Sequence, residues 1–291
     1  SRTSGTTNTL YGITYGNSTF VTVGNSGTIL TSSDGISWTS RTSGTTNTLY
    51  GITYGNSTFV TVGNSGTILT SGDGTTWTSR TSGTTNDLWG DHYGNSTFVT
   101  VGDSGTILTS SDGTSWDNRT SGTSEHLAGV TYGNGLFVMV GESGTILTSS
   151  DGTSWDNRTS GTSYGLQKVF YANSRFMVVG DAGSMLRSSD GTSWTNSTPQ
   201  TTENLYGIYY VNSTIVMVGE SGTIITSLNE GSDWDNRTSG TTNRLYKVTY
   251  GNSTFVTVGL SGTVLTSSDG TTWTSRTSGT TETLHGIAYK E

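Results

Sequence analysis

The chain has 291 residues, a net charge of −8 and no cysteine, which excludes disulfides and thiolate metal sites. Its only lysines are Lys168, Lys247 and Lys290, and no basic stripe runs along it, so nucleic acid is not an expected partner. No apolar run approaches the roughly 18 residues that span a membrane, so membrane insertion is not expected either.

The sequence consists of near-identical repeats that begin at a recurring Arg-Thr-Ser-Gly motif. Units one and two differ only at Ser33/Gly72, Ile36/Thr75 and Ser37/Thr76, so every unit must adopt the same fold. We predict one domain over residues 1–291, because stacked repeats share a continuous core. Its predicted repeats are 2–40, 41–79, 80–118, 119–157, 158–196, 197–236 and 237–275, followed by a partial copy at 276–291.

Each unit contains four short stretches rich in β-branched and aromatic residues, separated by Gly, Asn, Asp and Ser. In the first unit these predict strands a to d over residues 10–15, 19–24, 28–32 and about 38–43. Four antiparallel strands in about 39 residues are typical of a propeller blade, so we predict an all-β, seven-bladed β-propeller. Stacking of the blades is expected to bury the following side chains of the first unit: Tyr15, Phe20, Val21, Val23, Ile29 and Trp38.

Residues 284–289 repeat the pattern of strand a, although no further b and c strands follow them. This eighth copy predicts a surplus strand. It would either replace residues 10–15 as the innermost strand of one blade or pair with a second molecule. We expect a monomer, with a strand-exchanged dimer as the alternative.

The turn between strands c and d reads Ser-x-Asp-Gly-x-x-Trp in six units. It resembles the Asp-box (BNR-like) repeats of sialidases, sortilin-type receptors and YCF48-like photosystem assembly factors, although it is one residue shorter than the usual Ser-x-Asp-x-Gly-x-x-Trp. The sixth turn has the usual length but carries Asn229 in place of the aspartate. The resemblance implies structural roles as turn acceptors and packed rings for the following residues: Asp34, Trp38, Asp73, Trp77, Asp112, Trp116, Asp151, Trp155, Asp190, Trp194, Trp234, Asp269 and Trp273.

None of the residue types that carry catalysis or bind metals occurs in a matching pattern. Each turn offers one carboxylate, which favours a structural role over calcium binding. The arginines recur once per unit, so they cannot converge on one substrate, and we interpret them as structural. His92, His126 and His285 lack metal-like spacing, and no paired carboxylates are evident. We therefore expect a protein that is not an enzyme and has no cofactor and no bound metal.

The units differ from one another mainly in two places: the loop from strand d to the next strand a, and the turn from b to c. Both connections emerge on one face of an antiparallel blade. We interpret that face as a recognition surface, with drift of unconstrained loops as the alternative. The predicted ligand-binding aromatics around its central funnel are Tyr11, Tyr50, Trp89, Tyr164, Tyr206 and Tyr246.

These features favour a non-enzymatic binding module with several similar, shallow sites, whose partner is a glycan or a protein surface. The alternative is a structural or assembly scaffold without a small-molecule ligand, which arose by recent amplification or by engineering. The compartment is unknown from the sequence, with an extracellular or cell-surface location favoured.

Overall fold

The computed structural model describes residues 4–197 and 201–290. The predicted repeat start at Arg2 lies outside these residues. Each of the seven sheets contains four strands in consecutive order, all paired antiparallel. The protein is an all-β, seven-bladed β-propeller, as predicted. The described chain forms two compact units: residues 4–141 with 145–158, and residues 142–144 with 159–197 and 201–290.

The first unit contains blades 1 to 4, whose strands are taken in chain order as a to d. Blade 1 consists of β1 (Leu10–Gly16), β2 (Thr19–Gly24), β3 (Ile29–Ser32) and β4 (Thr39–Arg41), and blade 2 of β5 (Leu49–Gly55), β6 (Thr58–Gly63), β7 (Ile68–Ser71) and β8 (Thr78–Arg80). Blade 3 consists of β9 (Leu88–Gly94), β10 (Thr97–Gly102), β11 (Ile107–Ser110) and β12 (Asp117–Arg119), and blade 4 of β13 (Leu127–Gly133), β14 (Leu136–Gly141), β15 (Ile146–Ser149) and β16 (Asp156–Arg158).

The second unit contains blades 5 to 7. Blade 5 consists of β17 (Leu166–Ala172), β18 (Arg175–Gly180), β19 (Met185–Ser188) and β20 (Thr195–Ser197), and blade 6 of β21 (Leu205–Val211), β22 (Thr214–Gly219), β23 (Ile224–Ser227) and β24 (Asp235–Arg237). Blade 7 consists of β25 (Leu245–Gly251), β26 (Thr254–Gly259), β27 (Val264–Ser267) and β28 (Thr274–Ser275).

A 3-10 turn connects strands b and c of every blade. The seven turns are Asn25–Gly27, Asn64–Gly66, Asp103–Gly105, Glu142–Gly144, Asp181–Gly183, Glu220–Gly222 and Leu260–Gly262. Strands a and b are joined by two-residue turns. In the first of these, Asn17 and Ser18 have φ values of 45° and 57°. Positive φ at both positions is the type I′ geometry, which matches the twist of the two strands.

The core lies between neighbouring blades. On one face of blade 1, Val21, Val23 and Ile29 are fully buried against Leu49 and Phe59 of blade 2. This follows from strand alternation, since every second residue of strand b points to the same neighbour. The same packing recurs between the other consecutive blades of each unit.

The burial predicted for side chains of the first repeat is confirmed for its aliphatic residues but not for its aromatic ones. Tyr15, Phe20 and Trp38 are only half-buried. Phe59, at the position of Phe20 in blade 2, is fully buried. Blade 1 is the first blade of its unit, so no blade of that unit covers the face that carries Phe20. Trp38 immediately precedes an outer strand of only three residues, so part of its ring faces solvent.

The strand predicted over residues 284–289 is absent, which corrects that expectation. Leu10–Gly16 is the innermost strand of blade 1, and residues 284–290 have no strand pairing. They lie against blade 7, where the Leu284 N–H donates to the carbonyl of Gly259 at 3.0 Å. A strand a normally pairs with the strand b of its own copy, and the eighth copy has none. Among the described residues, no helix is long and apolar enough to cross a membrane.

Candidate functional site on the loop face

The d-to-a loops and the b-to-c turns lie together in each unit, and we call the surface they form the loop face. Gly27 of the first b-to-c turn has a φ of +67°, and a Cβ placed on it would lie 2.0 Å from the carbonyl oxygen of Thr45. Only glycine fits this close approach. In blade 2, Asn47 Nδ2 of the entering loop donates to Thr67 Oγ1 at 2.8 Å. Each turn is therefore held between the loop that enters its blade and the loop that leaves it.

This arrangement leaves an open groove above the b-to-c turn of a blade. Grooves of about 740, 710, 820 and 670 Å³ lie on blades 1, 2, 6 and 7. Serine, threonine, glycine and asparagine dominate their linings, and each groove is lined by one arginine: Arg41, Arg80, Arg237 and Arg276, respectively. The grooves are polar, shallow and alike from blade to blade.

The arginines of strand d fall into two classes. In blades 3, 4 and 6, ion pairs of 2.8–2.9 Å join Arg119 to Asp117, Arg158 to Asp156 and Arg237 to Asp235. In blades 1, 2 and 7, threonine takes the place of that aspartate, and the structure pairs Arg41, Arg80 and Arg276 with no carboxylate among the described residues. Their Nε atoms donate to threonine hydroxyls at 2.8 Å, as those of Arg119 and Arg158 also do. Ion pairing therefore occurs at Arg119, Arg158 and Arg237, and it does not occur at Arg41, Arg80 and Arg276 among the described residues.

The aromatic residues that the sequence singled out contact one another in the first unit. The rings of Tyr11 and Tyr50 are 5.5 Å apart, and Tyr50 stacks on Trp89 at 4.0 Å with an interplanar angle of 14°. Trp89 in turn meets the edge of His126. Much of each ring face is thus occupied by its neighbour. Trp89 remains the most accessible of these rings, with 37% of its surface exposed.

In the second unit, Tyr206 and Tyr246 lie 6.0 Å apart, and Tyr246 packs on His285 at 4.7 Å. The guanidinium of Arg244 covers both tyrosine rings, at 5.2 and 5.6 Å from their centroids. Tyr164 belongs to neither group. It is 55% exposed in the loop that enters blade 5, and its position in the repeat is that of Asn8 rather than of Tyr11.

Burial shifts several of these groups. It raises the pKa of Tyr50, with the nearby Asp87 carboxylate adding to the effect. Burial likewise raises the pKa of Tyr206 and lowers that of His285. All three shifts favour the neutral form. Tyr50, Tyr206 and His285 are therefore uncharged around neutral pH.

The two variable loop positions contact each other across blade boundaries. Asp103 in the turn of blade 3 lies 2.7 Å from Nδ1 of His126 in the loop that enters blade 4, and it also accepts a bond from Trp89 Nε1 at 2.9 Å. Glu220 of blade 6 pairs in the same way with Arg244. Much of the variation between repeats is thus complementary contact between neighbouring blades. This contact was not predicted from the sequence, where His126 was considered only as a possible metal ligand.

The sequence does contain a signal for these contacts. The members of each pair are 23 or 24 residues apart, and in both pairs an acidic residue in the turn precedes a basic residue in the next loop. The pair Asn25 and Thr48 has the same offset, with Thr48 Oγ1 donating to Asn25 Oδ1 at 3.3 Å. Comparison of the two variable positions as a pair, rather than one by one, would have identified them.

The c-to-d turns lie at the opposite ends of the strands from the loop face. In the first turn, the backbone N–H groups of Ile36 and Ser37 donate to Asp34 Oδ1, each at 2.8 Å. These bonds, followed by the Ser32 hydroxyl, lower the pKa of Asp34 to about 2. The pKa of Asp73 is lowered further, first by the hydroxyl of Thr75, for which the first turn has an isoleucine instead.

The remaining short turns repeat this geometry. Asp112, Asp151, Asp190 and Asp269 each accept the same pair of backbone bonds. These bonds hold the pKa values of Asp151, Asp190 and Asp269 well below the ordinary range. The pKa of Asp112 is lowered first by the Thr114 hydroxyl and then by its backbone bonds. Trp77 Nε1 donates to the carbonyl of Gly74 at 3.0 Å, and its ring packs against the core between blades 1 and 2. The corresponding indole N–H makes this bond in the turns of Trp116, Trp194 and Trp273.

The longer sixth turn makes a different contact. Asn229 Oδ1 takes the acceptor role, receiving the N–H of Asp233 at 2.9 Å. The inserted Glu230 has a φ of 61°, and its carbonyl accepts a bond from Arg175 of blade 5 at 3.2 Å. The insertion therefore joins blades 5 and 6 on this side.

Within residues 4–197 and 201–290, no three His, Cys, Asp or Glu side chains are placed to hold a metal ion. His92 lies on strand β9 of blade 3, apart from His126 on the loop face, and His285 lies in the C-terminal segment. The three histidines do not form one cluster.

A scan against known protein families finds no match for this chain, and a search of curated proteins also finds none. Solved structures share its fold. A structure of YCF48 bound to D1 peptide has a TM-score of 0.71 and 17% identity, with 90% of this chain and 93% of that chain covered. The computationally designed Ika8 protein has a TM-score of 0.82 and 10% identity, with 98% and 92% covered.

A catalytically inactive variant of virginiamycin B lyase from Staphylococcus aureus with quinupristin has a TM-score of 0.72 and 10% identity, with 86% and 91% covered. At these identities, all three likenesses concern the fold alone. Propellers that bind a peptide, act as a lyase or were designed thus share one architecture, and the function must be argued from this chain's own surface.

Proposed function

We propose that this protein is a non-enzymatic, multivalent interaction module that binds its partner through the loop face. The observation that supports this most directly is the repetition of one open, polar groove, of about 670 to 820 Å³, on blades 1, 2, 6 and 7. Equivalent shallow sites bind weakly one at a time. They gain roughly 10²- to 10⁴-fold in avidity when a polymer or a surface engages several at once.

The partner class that fits these grooves best is a glycan. Their hydroxyl, amide and guanidinium groups match a polyhydroxylated ligand. Elsewhere on the loop face, Trp89 and Tyr164 have exposed ring surface that suits a sugar. A protein surface is the other partner class, and the structure of YCF48 with D1 peptide is an example of a propeller with a peptide ligand.

The non-enzymatic part of the proposal rests on the contacts of two loop-face carboxylates, Asp103 and Glu220. Asp103 is engaged by Trp89 and His126, and Glu220 by Tyr206 and Arg244, so each carboxylate is committed to bonds between blades. A hydrolytic site needs carboxylates that are accessible to substrate and to water. Turnover of chromogenic glycosides that is lost on substitution of Asp103 or Glu220 would overturn this part.

Binding of the fluorescently labelled protein to a dense glycan array and to a panel of candidate proteins tests the proposal. The loop-face variant is Trp89→Ala with Tyr164→Ala. The matched control is Ile36→Ala with Leu228→Ala, which removes two exposed apolar side chains from the c-to-d turns. We expect the first variant to lose at least about tenfold in apparent affinity and the control to bind like the wild type. Equal loss in both variants would place the interaction elsewhere.

The second candidate is a structural scaffold without a small-molecule ligand. The likeness to a computationally designed propeller over 98% of this chain favours it, as does the near-identity of the first two repeats. On that account, the paired loop positions would serve only to join neighbouring blades. A blank array and a blank protein panel, with the protein folded, would favour this candidate.

A further inference from the structure

The arginines of strand d differ from blade to blade in one respect that bears on ligand chemistry. In blade 3, Arg119 Nη2 meets the Asp117 carboxylate at 2.8 Å, and in blade 4, Arg158 Nη2 meets Asp156 at 2.9 Å. The chain thus supplies its own carboxylate to this guanidinium. At the same position relative to Arg41, blade 1 carries Thr39.

Arg41 is nevertheless held in place as its counterparts are. Its Nε donates to Thr31 Oγ1 at 2.8 Å, as Nε of Arg119 does to Thr109 at 2.7 Å. This bond orients the guanidinium and leaves its two Nη groups for a bidentate contact with two oxygens of an anion, as arginine makes with planar carboxylates and with tetrahedral oxyanions such as phosphate. Arg80 and Arg276 have the same anchor, and Thr78 and Thr274 stand where the aspartate would be.

We propose that the grooves of blades 1, 2 and 7 bind the anionic groups of an acidic polysaccharide, carboxylate or sulfate ester, through Arg41, Arg80 and Arg276. The arginines of blades 3, 4 and 6 are closed to such a ligand by their own aspartates. This inference deepens the proposed function and rests on it, since it assigns the ligand chemistry of the same loop face.

The local charge favours an anion in spite of the overall net charge of −8. Between residues 1 and 86 the only carboxylate side chains are Asp34 and Asp73, both in c-to-d turns. Strand β3, which separates the Asp34 turn from the groove, has four residues and spans about 13 Å. That exceeds the screening length of about 8 Å at physiological ionic strength. Among residues 4–197 and 201–290, no carboxylate lines the groove of blade 1, 2 or 7.

The grooves of blades 1, 2 and 7 differ in the carboxylates that lie near them. Asp87 accepts the N–H of Ser65, which lines the groove of blade 2, and Glu282 follows the last residue that lines the groove of blade 7. In the described part of the chain, no carboxylate has a corresponding place beside the groove of Arg41. We therefore expect Arg41 to contribute the most to anion binding.

A polysaccharide fits the groove better than an acidic peptide does. The linings of blades 1, 2 and 7 consist mainly of Ser, Thr, Gly and Asn, and the large apolar side chains among their described residues are Leu69, Val264 and Leu265. Protein interfaces usually contain an apolar, aromatic-rich centre. Sugar hydroxyls, in contrast, find donors and acceptors along the whole lining.

The test compares two triple variants of equal charge. Arg41→Gln, Arg80→Gln and Arg276→Gln removes the open arginines, whereas Arg119→Gln, Arg158→Gln and Arg237→Gln removes the paired ones. Binding to immobilised dextran sulfate, polygalacturonate and neutral dextran is measured by biolayer interferometry at low and high salt. We expect the wild type and the second variant to bind one or both polyanions at low salt, and the first variant to lose at least about tenfold in apparent affinity.

A second design blocks the sites and keeps the arginines. Thr39→Asp, Thr78→Asp and Thr274→Asp gives blades 1, 2 and 7 the ion pair of blade 3, and we expect the same loss of polyanion binding. Circular dichroism establishes that each variant is folded. The relative response to dextran sulfate and polygalacturonate shows whether sulfate or carboxylate is the preferred anion.

Three outcomes would overturn the inference: no binding of the wild type to either polyanion, equal loss in both arginine triples, or equally tight binding to poly-glutamate. The last would identify the ligand as an acidic peptide. If the polyanions do not bind but neutral glycans or proteins still bind in a manner that depends on Trp89, only this inference fails and the proposed function stands.

Discussion

Arg244, in the loop that enters blade 7, binds Glu220 in the b-to-c turn of blade 6 through two of its guanidinium nitrogens. Its Nε lies 2.5 Å from Oε2 and its Nη2 lies 2.9 Å from Oε1. The side chains are 35% and 32% exposed, and Tyr206 also donates to the carboxylate. Two positions that looked like independent loop variation are thus one bidentate contact between neighbouring blades.

We expect Arg244→Met or Glu220→Gln to lower the free energy of unfolding by about 1 kcal/mol, because a partly exposed bidentate pair contributes at that level. The swapped double variant, Glu220→Arg with Arg244→Glu, should recover much of the loss, since it restores the pair. Urea denaturation measures the three effects. Independent, additive losses in the double variant would show that the two residues are not coupled.

The same pair predicts a pH dependence. The Arg244 guanidinium lowers the pKa of Glu220 below its ordinary value of 4.5. A carboxyl group with a lowered native pKa stabilises the fold above its unfolded pKa and loses that contribution as the pH falls through the native pKa. The stability difference between wild type and Glu220→Gln should therefore be full at about pH 6 and shrink below about pH 4. A difference that stays constant through the acid range would contradict this.

The first two c-to-d turns differ by one hydroxyl group that can donate to their aspartate. Thr75 donates its hydroxyl to Asp73, whereas Ile36 occupies the equivalent position beside Asp34, whose pKa is about 2. We expect Ile36→Thr to lower the pKa of Asp34 further and Thr75→Val to raise that of Asp73, because a hydrogen bond stabilises the carboxylate. Carboxyl ¹³C shifts, followed by NMR against pH, measure both changes. Unchanged values would show that the backbone N–H groups alone set these pKa values.

Asp91 on strand β9 occupies a position that other blades fill with Ile or Val. Asp91 is half-buried and packs closely against Gly51 of blade 2. A Cβ placed on Gly51 would lie 2.2 Å from Asp91 Oδ1. At the same place in the preceding pair of blades, Ile52 packs beside Gly12. We expect Asp91→Ile to raise the free energy of unfolding by about 2 kcal/mol, because apolar burial replaces a partly desolvated carboxylate.

The reverse substitution, Ile52→Asp, is the matched control and should destabilise the protein. Urea denaturation of both variants decides the matter. If Asp91→Ile is destabilising, the carboxylate makes contacts at this position that outweigh the cost of its burial, and Asp91 becomes a candidate functional residue.

The a-to-b hairpins predict a stabilising change. Ser57 adopts a φ of 57° in the turn of blade 2, whereas blade 4 has the Asn134–Gly135 pair that type I′ turns favour. We expect Ser57→Gly to stabilise the protein by about 0.5–1 kcal/mol, and Gly135→Ser to destabilise it by a similar amount, since the left-handed conformation is costly for residues with a Cβ. Thermal unfolding measures both shifts. Equal effects of the same sign would contradict this account.

Most of the fold could be predicted from the chain alone. The repeated turns and the alternation of apolar residues, such as Val21 and Val23 on strand β2, predict four antiparallel strands in every blade, and each strand pairs with its neighbour in sequence. The burial of Phe20 and the conformation of residues 284–289 could not be predicted, because they depend on which neighbouring blade or strand is present, not on the residue itself.

The candidate site was only partly predictable. Antiparallel geometry placed both variable loops on one face, and six aromatic residues were singled out there. The sequence did not reveal that Tyr50 and Trp89 stack on each other, or that Asp103 meets His126. The sequence shows Thr39 two residues before Arg41 and Asp117 two residues before Arg119. That this difference affects the arginine becomes clear only from the structure, in which Asp117 and Arg119 lie on the same side of the strand and form an ion pair.

Strand alternation, turn residues and glycines such as Gly27 specify the structure of each blade, because they act over a few residues and recur in every copy. The contacts between side chains of neighbouring blades, in contrast, form only when the sheets stack. Residues 23 or 24 positions apart, such as Asp103 with His126 and Glu220 with Arg244, come into contact through the stacking of separate sheets. A pattern within one repeat does not show which residues of the next repeat will be in contact with it.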